Sequence, residues 1–184
     1  MNPKPQNRLF LVCPFCQMER FITKYFGDVL FLTAPASIFY FDDGNFLKAV
    51  KKTIQSEKIT DIYLVGDVSC QIVQYMLQNK SITGLRCESD IQELLSSTDT
   101  PFSLTEKLLK KQLYEMTCHS IFGKEIEEGQ IYLHALLTSR HDDFITPIKC
   151  NFVQLMAKTV GHGDNLHYTH PLSYSEFNLL TYTI

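Results

Sequence analysis

No stretch of this 184-residue chain approaches the ~20 consecutive apolar residues needed to cross a bilayer, so no membrane partner is expected. Nor does one sign of charge dominate. The 17 Lys and Arg against 20 Asp and Glu leave a formal net charge of −3, and without a basic field no nucleic-acid partner is expected. The amino terminus, Met1 to Arg8, is polar, and the apolar stretch after it is too short for a secretory signal. A cytoplasmic location is the expectation, in which cysteines stay reduced. There is no internal repeat and no low-complexity tract. What is present is a 45% hydrophobic, 20% charged composition, enough to bury one core. One domain over 1–184 is expected, with its core in 8–150 and a carboxy-terminal extension over 151–184.

Two apolar runs end abruptly in residues that can hold a soft metal or do thiol chemistry. One is Leu9-Phe10-Leu11-Val12-Cys13-Pro14-Phe15-Cys16, the other Ile62-Tyr63-Leu64-Val65-Gly66-Asp67-Val68-Ser69-Cys70. In an open α/β sheet, ligands bind outside the carboxyl ends of the strands. Two such ends, bringing Cys13 and then Asp67 with Cys70, can meet at one point. Cys87, Cys118 and Cys150 read as small core or surface residues.

The order of elements argues for that sheet. Strands are predicted at 8–13, 28–32 and 62–65, alternating with helices at 17–26, from Phe46 to Ile54 after the turn Asp42-Asp43-Gly44-Asn45, and at 69–78. Such β-α-β units imply parallel pairing through right-handed crossovers. A further short strand is predicted over Ser81–Cys87, weakened by Gly84. Ser103-Leu104-Thr105-Glu106 reads as a capping box opening a long helix to about His119. The turn Glu128-Gly129 then leads into a strand over 130–137. Arg140-His141-Asp142-Asp143 forms a hairpin turn before a strand at 144–148, which gives an antiparallel strand near the sheet edge.

Several residues have competing readings. Asp67 is either a metal ligand or a helix N-cap accepting from the amides of the turn that follows. Cys13-Pro14-Phe15-Cys16 also resembles the glutaredoxin redox motif, set between strand and helix, which makes a thiol–disulfide redox protein the alternative function. Against it, no proline follows a third strand where that fold needs one. His162, His167 and His170 have a spacing that matches no common closed metal site and read as a solvated loop. His134 reads as a satisfied strand histidine, and Glu127-Glu128 as a solvated turn.

The order and spacing of these segments over about residues 8–150 resemble the β-class carbonic anhydrases. That family has a strand ending in Cys-x-Asp-x-Arg, and later a strand ending in Gly-His-x-x-Cys. The resemblance implies a mainly parallel α/β sheet flanked by helices, a zinc cofactor held by Cys13, Asp67 and Cys70, a homodimer, and carbon dioxide or bicarbonate as the small-molecule partner if the chain is active. The departures bear on activity. Asp67 replaces the ligand histidine, Phe15 and Gln17 replace the aspartate–arginine pair, and Thr33-Ala34-Pro35-Ala36-Ser37 replaces an asparagine-containing loop. Shifting the match to Cys16 restores Arg20 but puts Met18 at the aspartate position, so Cys13 is preferred. Two thiolates and a carboxylate would leave zinc less electrophilic than the family's set, and Phe15 accepts no hydrogen bond. The expectation is a divergent carbonic-anhydrase-like protein with weak or no carbon dioxide hydration.

Overall fold

The computed structural model describes residues 7–82 and 84–148. Five strands form one sheet: β1 (Arg8–Val12), β2 (Leu30–Thr33), β3 (Asp61–Asp67), β4 (Tyr132–Ser139) and β5 (Phe144–Pro147), in the order β2-β1-β3-β4-β5. β1 is parallel to β2 and β3, β3 is parallel to β4, and β4 is antiparallel to β5. The α/β sheet with an antiparallel edge, expected from the element order, is the one that forms. Its central strands carry apolar residues on both faces because both faces are covered, as parallel sheets require. Leu9 to Val12 are all buried.

Strand alternation sorts these residues. Leu9, Leu11, Ile62, Leu64 and Gly66 share one face, by register. The opposite face carries Phe10, Tyr63 and His134, whose rings stack in turn: Phe10 to Tyr63 at 4.6 Å and Tyr63 to His134 at 4.4 Å between centroids. His134 also pairs with Asp61 at 2.9 Å, so it is the satisfied strand histidine its pattern predicts.

The helices are α1 (Glu19–Phe26), α2 (Gly44–Ser56), α3 (Gln71–Leu77), α4 (Cys87–Leu94), α5 (Pro101–Met116) and α6 (Lys124–Glu127). Asp43 caps α2 as its sequence position suggests, its carboxylate accepting from the amides of Asn45 and Phe46. The chain leaves β1 through α1 to reach β2, then returns past β1 through α2 to β3. That reversal makes the β1–β3 junction the switch point of the sheet, where the two following loops diverge and leave a crevice. Among the described residues no helix is long and apolar enough to cross a membrane.

Three local expectations are corrected. The first helix begins at Glu19 rather than at residue 17, because Pro14–Cys16 forms a 3-10 turn and Gln17 adopts a left-handed φ of 49°. The strand expected over Ser81–Cys87 does not form: Gly84 has φ 93° and Cys87 already opens α4. The capping box opening α5 lies three residues earlier than predicted. Thr100 Oγ1 accepts from the Ser103 amide, Ser103 Oγ accepts from the Thr100 amide, and Pro101 occupies the first helical turn. Ser103 is therefore the inner member of the box. α5 ends at Met116, before a π-helical turn over His119–Gly123. Gly123 is required in that turn, since a Cβ there would lie 2.5 Å from the Thr117 carbonyl oxygen. Cys150, His162, His167, His170 and the extension over 151–184 lie outside the described residues.

Candidate metal centre

β1 and β3 end side by side, and each is followed at once by a tight turn. After β1 the Cys16 amide donates to the Cys13 carbonyl at 3.1 Å, and after β3 the Cys70 amide donates to the Asp67 carbonyl at 3.0 Å. In a 3-10 turn the side chains at i and i+3 eclipse, so Cys-x-x-Cys spacing carries Cys16 back over Cys13. The second turn delivers Cys70 to the same place. The Cys13, Cys16 and Cys70 sulfurs all lie within 4.8 Å of one another, and all three residues are buried. Among the described residues they are the group of three with metal-ligating atoms this close together.

The spacing suits a metal. Two Zn–S bonds of ~2.3 Å at the tetrahedral angle put their sulfurs about 3.8 Å apart. Cys13 and Cys70 Sγ are 3.8 Å apart, and neither sulfur is in a disulfide. The loop after β2 completes the pocket. Ala36 and Ser37 hold left-handed backbone conformations, with φ of 53° and 57°, which non-glycine residues adopt only when the surroundings impose them. The strain has a visible result. The Ala36 amide donates to Cys13 Sγ at 3.2 Å, and Ser37 Oγ donates to the Val65 carbonyl at 2.7 Å.

This crowding sets the protonation state. The Cys16 thiol, then the Cys70 thiol, and further the amides of Phe15 and Ala36 stabilise a thiolate on Cys13, holding its pKa at about 3. Proximity to that thiolate pushes Cys70 up to about 12 and Cys16 up as well, with burial adding to both.

Asp67 stands at the same strand end, yet its carboxylate is engaged elsewhere. One oxygen accepts from the Ser69 amide at 2.9 Å and from the Ser69 hydroxyl. The other accepts from Thr138 Oγ1 at 2.9 Å and from the Arg140 amide at 3.1 Å. It ties the turn after β3 to the end of β4; it accepts from the Ser69 amide as the capping reading has it, but it is not the helix N-cap, since Cys70 holds that position in α3. Phe15, Gln17 and Arg20 are exposed and do not line the pocket.

The cavity beside the sulfurs is also lined by Gly66, Thr105, Leu108 and Gln112, and has room for about one water molecule, about 10 Å³. α5 closes it. Gly66 permits this approach, since a Cβ at that position would lie 2.5 Å from Thr105 Cγ2.

This fold has counterparts among solved structures. The β-carbonic anhydrase CafA of Aspergillus fumigatus superposes with a TM-score of 0.63 at 18% identity, over 83% of this chain and 81% of that one. The fold is that of the β-carbonic anhydrases. The Coccomyxa β-carbonic anhydrase matches with a TM-score of 0.65 at 15% identity, over 86% of this chain and 85% of its own. One of two tetrameric β-carbonic anhydrases from Sordaria macrospora matches at 0.61 and 14%, over 79% and 81% respectively. No protein-family model and no curated protein sequence matches the chain. On this β-carbonic anhydrase scaffold, Cys13 and Cys70 occupy the strand ends where the sequence locates them. Cys16 is the addition. Its signal was the Cys-x-x-Cys spacing, which also carries the redox reading. Thr105 had none, lying on a helix whose neighbours are core leucines.

Proposed function

We propose that the chain is a thiolate metal-binding protein on a β-carbonic anhydrase scaffold, holding one zinc ion through Cys13, Cys16 and Cys70 and hydrating carbon dioxide at or near background. The observation that carries the reading is the convergence of three buried sulfurs within 4.8 Å of one another. Cys16 takes the third place that Asp67 holds in the reading from sequence, because the Asp67 carboxylate is taken up by Ser69 in its own turn and by Thr138 and Arg140 at the end of β4.

The same geometry argues against robust hydration. Zinc supplies that reaction by acidifying a bound water, an effect that weakens as ligand charge rises. Three thiolates bring three negative charges to a divalent ion, and among the described residues no Lys or Arg lines the cavity to offset them. Among the described residues no aspartate–arginine pair faces the site: no Arg lines it, and Phe15 and Gln17 are exposed. A homodimer is the proposed assembly.

One observation favours a redox protein instead: Cys13 and Cys16 are close, unlinked, and share a stabilised thiolate. Thiol–disulfide exchange needs a partner thiol to reach the sulfur, however, and these residues are only 3% and 5% exposed.

Metal analysis of purified protein, beside a thiol count and stopped-flow hydration, tests the proposal. About one zinc per chain is expected, lost alike from Cys13→Ser, Cys16→Ser and Cys70→Ser, with hydration no faster than buffer. Zinc retained by Cys16→Ser but lost from Asp67→Asn would restore the carboxylate ligand set. A brisk zinc-dependent rate would overturn the activity reading, and a metal-free Cys13–Cys16 disulfide would establish the redox one.

A further inference from the structure

A three-sulfur set leaves one tetrahedral position open, and the cavity walls decide what can fill it. Four polar side chains line the cavity besides the cysteines: Ser37, Asp67, Thr105 and Gln112. Three are committed elsewhere. Ser37 Oγ donates to the Val65 carbonyl, and the Asp67 carboxylate is taken up by Ser69, Thr138 and Arg140. Gln112 accepts from the Phe39 amide at 2.7 Å through Oε1 and donates to Glu115 at 2.6 Å through Nε2. Thr105 is different. It is 3% exposed, and its Oγ1 is a buried polar atom without a hydrogen-bond partner.

A buried hydroxyl left unpaired costs about 1–3 kcal/mol, and such a group points to a ligand it awaits. The position is also built rather than incidental. Gly66 in β3 lacks the Cβ that would collide with Thr105 Cγ2 and crowd Leu109, so α5 seats this residue against the end of the strand. The free volume between the sulfurs and α5 is that of about one water.

We infer that Thr105 is a positioning residue for a single water-sized oxygen ligand completing an S₃O metal set, and that the cavity rejects larger ligands. The inference rests on the three-thiolate metal reading above. Thr105 Oγ1 hydrogen-bonds the oxygen ligand, and Leu108 and Leu109 on the same helix keep other solvent out.

X-ray absorption of the zinc-loaded full chain reads the first shell directly, and the visible spectrum of the cobalt-loaded chain reports its geometry independently of activity. The wild type is expected to show three sulfurs at ~2.3 Å and one oxygen at ~2.0 Å. Thr105→Ser should keep this shell. Thr105→Val, which has the same shape without the hydroxyl, should lose the oxygen and shift the cobalt bands. Thr105→Ala enlarges the space, so azide should perturb its cobalt spectrum at concentrations at least about tenfold below those that affect the wild type. Circular dichroism on each variant confirms folding, with Thr105→Ser as the reference should Thr105→Val not fold. No bound metal, or fewer than three sulfurs, would remove the underlying metal reading. Four sulfurs, or an unchanged S₃O shell and cobalt spectrum in Thr105→Val, would overturn the role of Thr105 while leaving the metal reading intact.

Discussion

Asp67 and Cys16 exchange roles between sequence and structure, for reasons of reach. A carboxylate is short, and the donors it meets first are the Ser69 amide and hydroxyl in its own turn and the Thr138 hydroxyl and Arg140 amide across the sheet. Once buried, it is fixed by those donors. The consequence is testable. Asp67→Asn should leave the zinc content unchanged, since the carboxylate is not a ligand in the proposed set. It should also cost about 1–3 kcal/mol in urea unfolding, because the amide turns one of its NH₂ donors toward groups that are themselves donors. Loss of zinc without loss of stability would make Asp67 a ligand after all. Cys13 and Cys70 were legible because each closes an apolar run. Cys16 was legible as half of a Cys-x-x-Cys pair and as an alternative to Cys13 for the first ligand position, not as a third ligand beside Cys13 and Cys70, because the two chemical uses of the pair, metal and disulfide, look alike until the third sulfur is located.

At the level of elements, the start of α5 controls the wall of the pocket. Asp99, just before the Thr100–Ser103 capping box, accepts from the Ser96 amide, Ser103 Oγ and Lys107 Nζ, each at 2.8 Å. The Lys107 ammonium, then the Ser96 amide, hold its carboxyl well below the usual carboxylate range. A depressed folded-state pKa contributes stability that is present above the unfolded value of about 3.9 and is lost as pH falls through the folded one. Acid unfolding should show it. Wild-type stability should fall below about pH 4 by an amount that Asp99→Asn removes, while at pH 7 the wild type is the more stable of the two. Equal acid sensitivity in both proteins would assign that loss to other carboxylates. A helix at this place was legible from its leucine spacing. Its first residue was not, because Ser103-x-x-Glu106 and Thr100-x-x-Ser103 are both capping patterns, and the fixed φ of Pro101 favours the earlier one.

For the molecule as a whole, the sheet has two outer strands, β2 and β5, whose far sides are unpaired among the described residues. Leu30 on β2 is 39% exposed and Phe31 and Leu32 are only half-buried, an edge of the kind that proteins cover or pair. Light scattering on the full chain at micromolar concentration is expected to give the mass of a dimer. A Leu30→Lys variant should shift the population toward monomer, provided that β2 is the edge concerned. A monomeric wild type would remove the homodimer from the proposal.

Local chemistry alone determined the alternation of strands and helices, the parallel pairing with its antiparallel edge, and the placing of Cys13, Asp67 and Cys70 at strand ends. These follow from hydrophobic periodicity and from the handedness of β-α-β crossovers, both of which act over a few tens of residues. Tertiary structure decided which of those residues share a pocket. Residues 57 positions apart, Cys13 and Cys70, meet because β1 and β3 are neighbours in the sheet. Thr105 reaches the same cavity because Gly66, on a different element, lacks a side chain. Such proximity depends on how closely two packed elements can approach, a property of volumes that neither stretch of sequence carries by itself.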